Sequence, residues 1–142
     1  MKKVLLFTLF VFVHWFSAAQ QNTIIIIADD LGTDYLGFYP NDGDTANTPV
    51  LRSLLDEGVL FSNAWSNPVC SPTRAGLFTG RYSFRTGMGY IVSGTSSPQL
   101  DTAEMSVARL LRDFAPVKYA TANVGKWHLH TTMPPAKRVF PN

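Results

Sequence analysis

The chain has a single cysteine, Cys70, among 142 residues. One thiol excludes an internal disulfide framework, so Cys70 is either a small buried side chain or a chemically special one. Charge is also scarce: Asp, Glu, Lys and Arg make up 15% of the chain, and the formal net charge of +2 includes Lys2 and Lys3. Without those two lysines the chain is close to neutral and has no basic stripe. This excludes the electrostatic footprint of a nucleic-acid binder and favours a small molecule as partner. Internal repeats and low-complexity segments are absent. The few charges, set against 13% aromatic residues, argue for a packed interior rather than disorder.

One long apolar run exists, from Val4 to Phe16. It is shorter than the ~20 residues a membrane span needs and His14 interrupts it, so no stable membrane anchor is expected. Met1-Lys2-Lys3 before it and Ser17-Ala18-Ala19 after it complete the three parts of a secretory signal peptide. Residues 1–19 are therefore read as a leader, and the chain as exported, periplasmic or secreted. About 120 residues remain, enough for one modest domain with a hydrophobic core.

Along the mature chain, Thr23 to Ala28 is a continuous β-branched run, the pattern of a strand buried on both faces of a parallel sheet. Thr48-Pro49 opens a helix with Leu51, Leu54 and Leu55 on one face and Gly58 past its end. Val59 to Ala64 reads as a second strand. Pro72 suits the first turn of another helix and Gly80 its end, which puts Cys70 at or just before a helix N-terminus. Asp101 and Glu104 have the spacing of a capping box for a third helix, with Val107, Leu110, Leu111 and Phe114 buried and Pro116 ending it. Tyr119 to Val124 reads as a third strand. Alternating strands and helices predict an α/β fold, a mostly parallel sheet with helices on both faces. Residues 131–142 form a proline-rich basic tail with no periodicity, read as loop or disorder.

Three clusters lie at the carboxyl ends of these strands: Asp29-Asp30, Cys70 with its neighbours, and Lys126 with His128. That edge of an open parallel sheet is where ligands bind, so the three are expected to converge. Adjacent carboxylates supply hard oxygens suited to calcium or magnesium. From the residues alone the pair fits a divalent cation and a polar turn equally well. Lys126 and His128, taken alone, fit a solvated pair better than a site.

Cys70-Ser71-Pro72-Thr73-Arg74, continuing through Ala75-Gly76-Leu77-Phe78 into Thr79-Gly80-Arg81, resembles the signature of the sulfatase family. Gly125-Lys126-Trp127-His128-Leu129 resembles the family's second signature, with His130 where a glycine normally closes it. The likeness runs from about Thr23 to Leu129. It implies an alkaline-phosphatase-like α/β fold, incomplete in this chain, with residues 20–130 as the amino-terminal part of a catalytic domain. It also implies that a maturation enzyme reading Cys70, Pro72 and Arg74 oxidises Cys70 to formylglycine. The hydrated aldehyde would attack the sulfur of a small-molecule or carbohydrate sulfate ester through one hydroxyl, and the second hydroxyl would expel sulfate and restore the aldehyde.

By the same resemblance Asp29, Asp30 and the modified Cys70 would hold a metal, calcium in preference to magnesium. Arg74 would hold the diol, Lys126 a sulfate oxygen, and His128 would take part in proton transfer. Family members continue for several hundred residues that carry the remaining metal ligands, so this chain is expected to be an amino-terminal fragment. The alternatives are an inactive truncated remnant, or a phosphodiester or phosphonate ester hydrolase of the same superfamily. Arg81, Arg85, Lys137 and Arg138 are read as solvated charge, Trp65 and Trp127 as core or rim. Ser71 and Thr73 receive no role.

Overall fold

In the computed structural model the described residues are 22–40 and 43–131. The expected leader at 1–19 and the tail beyond Thr131 lie outside them. Helices form where the sequence punctuates them: α1 (Pro49–Glu57), α2 (Cys70–Thr79), α3 (Ser83–Thr86) and α4 (Val107–Phe114). Pro49 occupies the first helical position of α1, where its missing N–H costs nothing, and Thr48 precedes it as N-cap residue. Helix α2 opens at Cys70 after an extended Val69 and closes on Gly80 at φ 67°. That left-handed conformation suits glycine, and the Gly80 N–H reaches the Gly76 carbonyl at 2.8 Å.

Among the described residues the buried apolar ones are Ala75, Met88, Val92 and Leu129, with Phe78, Leu100 and Trp127 packed against them. Phe78 and Trp127 meet with ring centroids 5.3 Å apart at 35°. The Leu100 N–H donates to the Leu129 carbonyl at 2.9 Å, tying the chain before α4 to the segment after it. This core lies directly beneath α2. No helix among the described residues is long and apolar enough to cross a membrane.

The expected parallel sheet does not form among the described residues. Thr23–Ala28, Val59–Ala64 and Tyr119–Val124 are irregular, and the nearest approach to a ladder is one isolated parallel bridge between Leu36 and Ala46. The burial expected of the first run is corrected too, since Ile24 and Ile26 are each 85% exposed. A β-branched run becomes a buried strand only when neighbours pair its backbone and cover its faces, and none of the described residues does so. The apolar faces of the outer helices are open for the same reason: Leu54 of α1 and Leu110 and Phe114 of α4 are exposed.

The start of α4 is a second correction. Ser106, not Asp101, is its cap, and the Ser106 hydroxyl accepts from the Arg109 N–H at 3.2 Å. Asp101 instead closes its own turn, accepting from Ala103 N–H at 2.8 Å. Glu104 is drawn away by Arg81, whose Nη1 reaches both carboxylate oxygens at 2.6 Å. Arg81 is thus paired while its side chain stays half-exposed. Arg85 rests over the Phe84 ring, 5.5 Å from its centroid. Trp65 is exposed, whereas Trp127 belongs to the core.

Two outcomes follow from this packing. Met88→Ala or Leu129→Ala should cost about 2–5 kcal/mol in urea unfolding followed by circular dichroism, while exposed Leu54→Ala should stay within about 0.5 kcal/mol. Equal effects at buried and exposed positions would contradict the assigned core. At the end of α4, Asp113 faces an unfavourable helix dipole and is held by Arg112 at 2.7 Å and by Arg109 at 3.6 Å. The Arg112 hydrogen bond in particular holds its carboxyl below the usual 3.8. The carboxylate therefore contributes stability above that ordinary value, lost as pH falls through the depressed one. Helicity followed against pH should lose this acid-side component in Asp113→Asn.

Candidate active site

The Cys70 side chain stands at the first residue of α2, where backbone N–H groups lack intrahelical acceptors. The first turn is fastened from behind by Thr73, whose hydroxyl donates to the Val69 carbonyl at 2.9 Å. Pro72 follows within that turn and is buried. One turn further on, Arg74 points back into the protein, with its side chain only 6% exposed.

Arg74 joins three segments. Its Nη1 donates to the Lys126 carbonyl at 2.5 Å and its Nη2 to Asp29 Oδ1 at 3.1 Å. The other oxygen of Asp29 accepts from the Lys126 ammonium. Asp29, Arg74 and Lys126 thus form one charged network across 97 residues of sequence. The two donors, Lys126 first and Arg74 second, hold the Asp29 carboxyl below its usual range against the effect of partial burial. Lys126 is correspondingly raised, first by its hydrogen bond to Asp29, against the opposing effect of burial. It remains an ammonium, able to donate to an oxyanion.

His128 completes the group. Its Nδ1 lies 3.1 Å from Cys70 Sγ, and its Nε2 lies 2.9 Å from the Val92 carbonyl. A carbonyl oxygen only accepts, so Nε2 carries a proton, and in the neutral ring Nδ1 is the bare nitrogen facing Cys70. The backbone reaches this pose through Gly125 at φ 89° and His128 itself at φ 56°. The latter is a left-handed conformation that a histidine tolerates better than most residues.

The structure therefore brings Cys70, Arg74, Lys126, His128 and Asp29 together, as the sequence led one to expect. Asp30 adjoins them in the chain, exposed and at φ 55°. Val92, through its carbonyl, was not foreseen. No sequence pattern marks it, because every residue carries that group.

Hard carboxylate oxygens at Asp29 and Asp30 have the chemistry of a calcium ligand set. A carboxylate offers roughly four acceptor sites, so two hydrogen bonds on Asp29 leave room for a cation. The set is partial, however: among the described residues no three His, Cys, Asp or Glu side chains converge on one point, whereas calcium takes about six to eight oxygens.

The family model described as Sulfatase matches residues 21–136. The chain belongs to the sulfatase family. Human arylsulfatase D is 41% identical over 119 residues, covering 79% of this chain and 19% of that protein. Human steryl-sulfatase is 40% identical over 120 residues, covering 80% and 20%. An N-acetylgalactosamine-6-O-sulfatase of Bacteroides thetaiotaomicron is 39% identical over 114 residues, covering 80% and 21%. This sulfatase chain spans about a fifth of the length of these curated relatives, and the family implies an α/β fold of the alkaline-phosphatase kind. No solved structure is a significant match.

The forked role of Arg74 gives a direct test. Arg74→Lys keeps the charge but cannot reach Asp29 and the Lys126 carbonyl in the same way. It should destabilise the chain by about 1.5–3 kcal/mol, the usual worth of a hydrogen bond to a charged group. Hydrogen exchange should also quicken selectively from Gly125 to Leu129. A lysine variant with unchanged protection there would mean that the fork does not hold the two segments together.

Proposed function

We propose that this chain is the nucleophile-bearing, amino-terminal part of an exported sulfate ester hydrolase, in which Cys70 is converted to formylglycine by a maturation enzyme. What carries the reading is the meeting of Cys70, Arg74, Lys126 and His128, drawn from two signatures more than fifty residues apart, around Asp29. The substrate is a small-molecule or carbohydrate sulfate ester. The Bacteroides relative is named for a carbohydrate sulfate, the human one for a steryl sulfate.

Asp29 and Asp30, together with the modified Cys70, are the residues that would hold a divalent cation. Calcium is favoured over magnesium because its flexible coordination tolerates adjacent carboxylates and further ligands from elsewhere. The cation and the hydrated aldehyde together supply Lewis-acid polarisation and a nucleophilic oxygen.

The remaining work falls to the protein's own side chains. Lys126, kept protonated by Asp29, offers a fixed positive charge to an oxygen of the sulfate as negative charge builds. His128, with Nδ1 bare and directed at residue 70, accepts a proton from the group attached to that Cβ. Arg74 holds Asp29 and the Lys126 backbone in register. Its Nε is buried and has no acceptor among the described residues.

Co-expression of the chain with a formylglycine-generating enzyme should yield a Cys70 peptide lighter by the difference between thiol and aldehyde in mass spectrometry, and Arg74→Ala should abolish the shift. A full-length sulfatase carrying these residues should cleave an aryl sulfate in preference to an aryl phosphodiester. Removing the Lys126 ammonium, as in Lys126→Ala, should lower kcat by about 10²–10³. An unmodified thiol under conditions that convert a control substrate would sink the formylglycine reading. Preference for the phosphodiester would move the chemistry to phosphorus.

A further inference from the structure

Ser71 follows the nucleophile directly, in a position of the signature to which neither the sequence nor the mechanism above gives a task. Its side chain is nonetheless wholly buried. Its Oγ accepts the Val92 N–H at 3.1 Å. Val92 is itself 5% exposed, so without Ser71 that N–H has no water to turn to. On the other side of the same Cα, the Val92 carbonyl accepts from His128 Nε2 at 2.9 Å, and His128 Nδ1 faces Cys70 Sγ at 3.1 Å. The four residues close a ring: Cys70 to Ser71 through a peptide bond, Ser71 to Val92, Val92 to His128, and His128 back to Cys70.

The geometry points to Ser71 as a positioning residue that fixes the tautomer of His128. By pinning the Val92 N–H it sets the orientation of the two peptide groups flanking the Val92 Cα, and so aims the Val92 carbonyl at Nε2. A proton held on Nε2 leaves Nδ1 as an acceptor facing residue 70, and histidine is useful there only in that tautomer. The serine beside the nucleophile thus acts on the histidine from its far side, through a backbone that carries no sequence signal. The inference deepens the sulfatase reading and rests on it for its catalytic meaning, while the tautomer is a property of the unmodified chain.

Long-range proton–nitrogen NMR on the full chain, at mildly alkaline pH where imidazoles are neutral, reads both ring nitrogens of His128. The wild type should show Nε2 protonated, Nδ1 bare and a slowly exchanging Nε2 proton. Ser71→Ala should lower the Nε2–H to Nδ1–H ratio and speed exchange of that proton by roughly tenfold, the change one ordinary hydrogen bond makes. Ser71→Thr, which keeps the hydroxyl, should restore both. A wild-type ring protonated on Nδ1, or a folded Ser71→Ala chain with unchanged tautomer and exchange, would overturn the proposal. Should Ser71→Ala fail to fold, Ser71→Cys keeps a weaker acceptor of similar size and carries the comparison. Neither signal requires formylglycine or sulfate turnover, so failure here leaves the sulfatase reading standing, and failure of Cys70 to mature leaves this one standing.

Discussion

The arrangement depends on one buried guanidinium. Arg74 reaches from α2 to a carboxylate 45 residues before it and a carbonyl 52 residues after it. In a parallel sheet, ladder hydrogen bonds would align those segments. Among the described residues no ladder joins them, and side-chain contacts centred on Arg74 carry the alignment, joined by Lys126 on Asp29 and His128 on Cys70. A buried cation is tolerable only when paired, so Arg74 in effect demands Asp29, and Asp29 in turn collects Lys126. Two cations thus meet on one carboxylate, Arg74 through Oδ1 and Lys126 through Oδ2.

Helix α2 makes this possible because its signature serves two surfaces at once. Cys70 and Arg74 lie four residues apart and share one helical face. Ala75, beside Arg74, is fully buried and allows close approach to Met88 and Leu129. The same alternation recurs at the second signature, where Trp127 and Leu129 enter the core and Lys126 and His128 enter the site. The left-handed turn at His128 lets consecutive residues face opposite ways within so short a stretch.

Much of this was legible in the sequence, and the parts that were not have physical reasons. Pro49, Pro72 and Gly80 act through local backbone chemistry, so helix boundaries near them could be read directly. The meeting of Asp29, Cys70, Arg74, Lys126 and His128 was legible from motif resemblance and from where the apolar runs end. Strand pairing was not, because a run such as Thr23–Ala28 states a preference that only a partner can satisfy. The α4 cap was misread because Asp101 and Glu104 have the right spacing, and the competition from Arg81 lies outside that window. Val92 and Ser71 carry no such signal for a different reason: one acts through its backbone, and the other stands between Cys70 and Pro72, where the resemblance assigns no role.

Site and core also differ in how much of the chain each needs. The exposed isoleucines at 24 and 26, with Val124 and the open faces of α1 and α4, show that the irregular runs and outer helices have apolar surface uncovered by any described residue. The side bearing Cys70 is well packed, because its supports are short-range or come from the two signatures themselves. Its accuracy rests on a handful of buried groups, Ala75, Met88, Val92 and Leu129, and on three polar anchors, Ser71, Arg74 and His128. Removing a core residue such as Leu129 would therefore reach the chemistry through its neighbour His128. Mutations in the irregular apolar runs would reach it through Asp29, which follows the first run, and through Lys126, which follows the third.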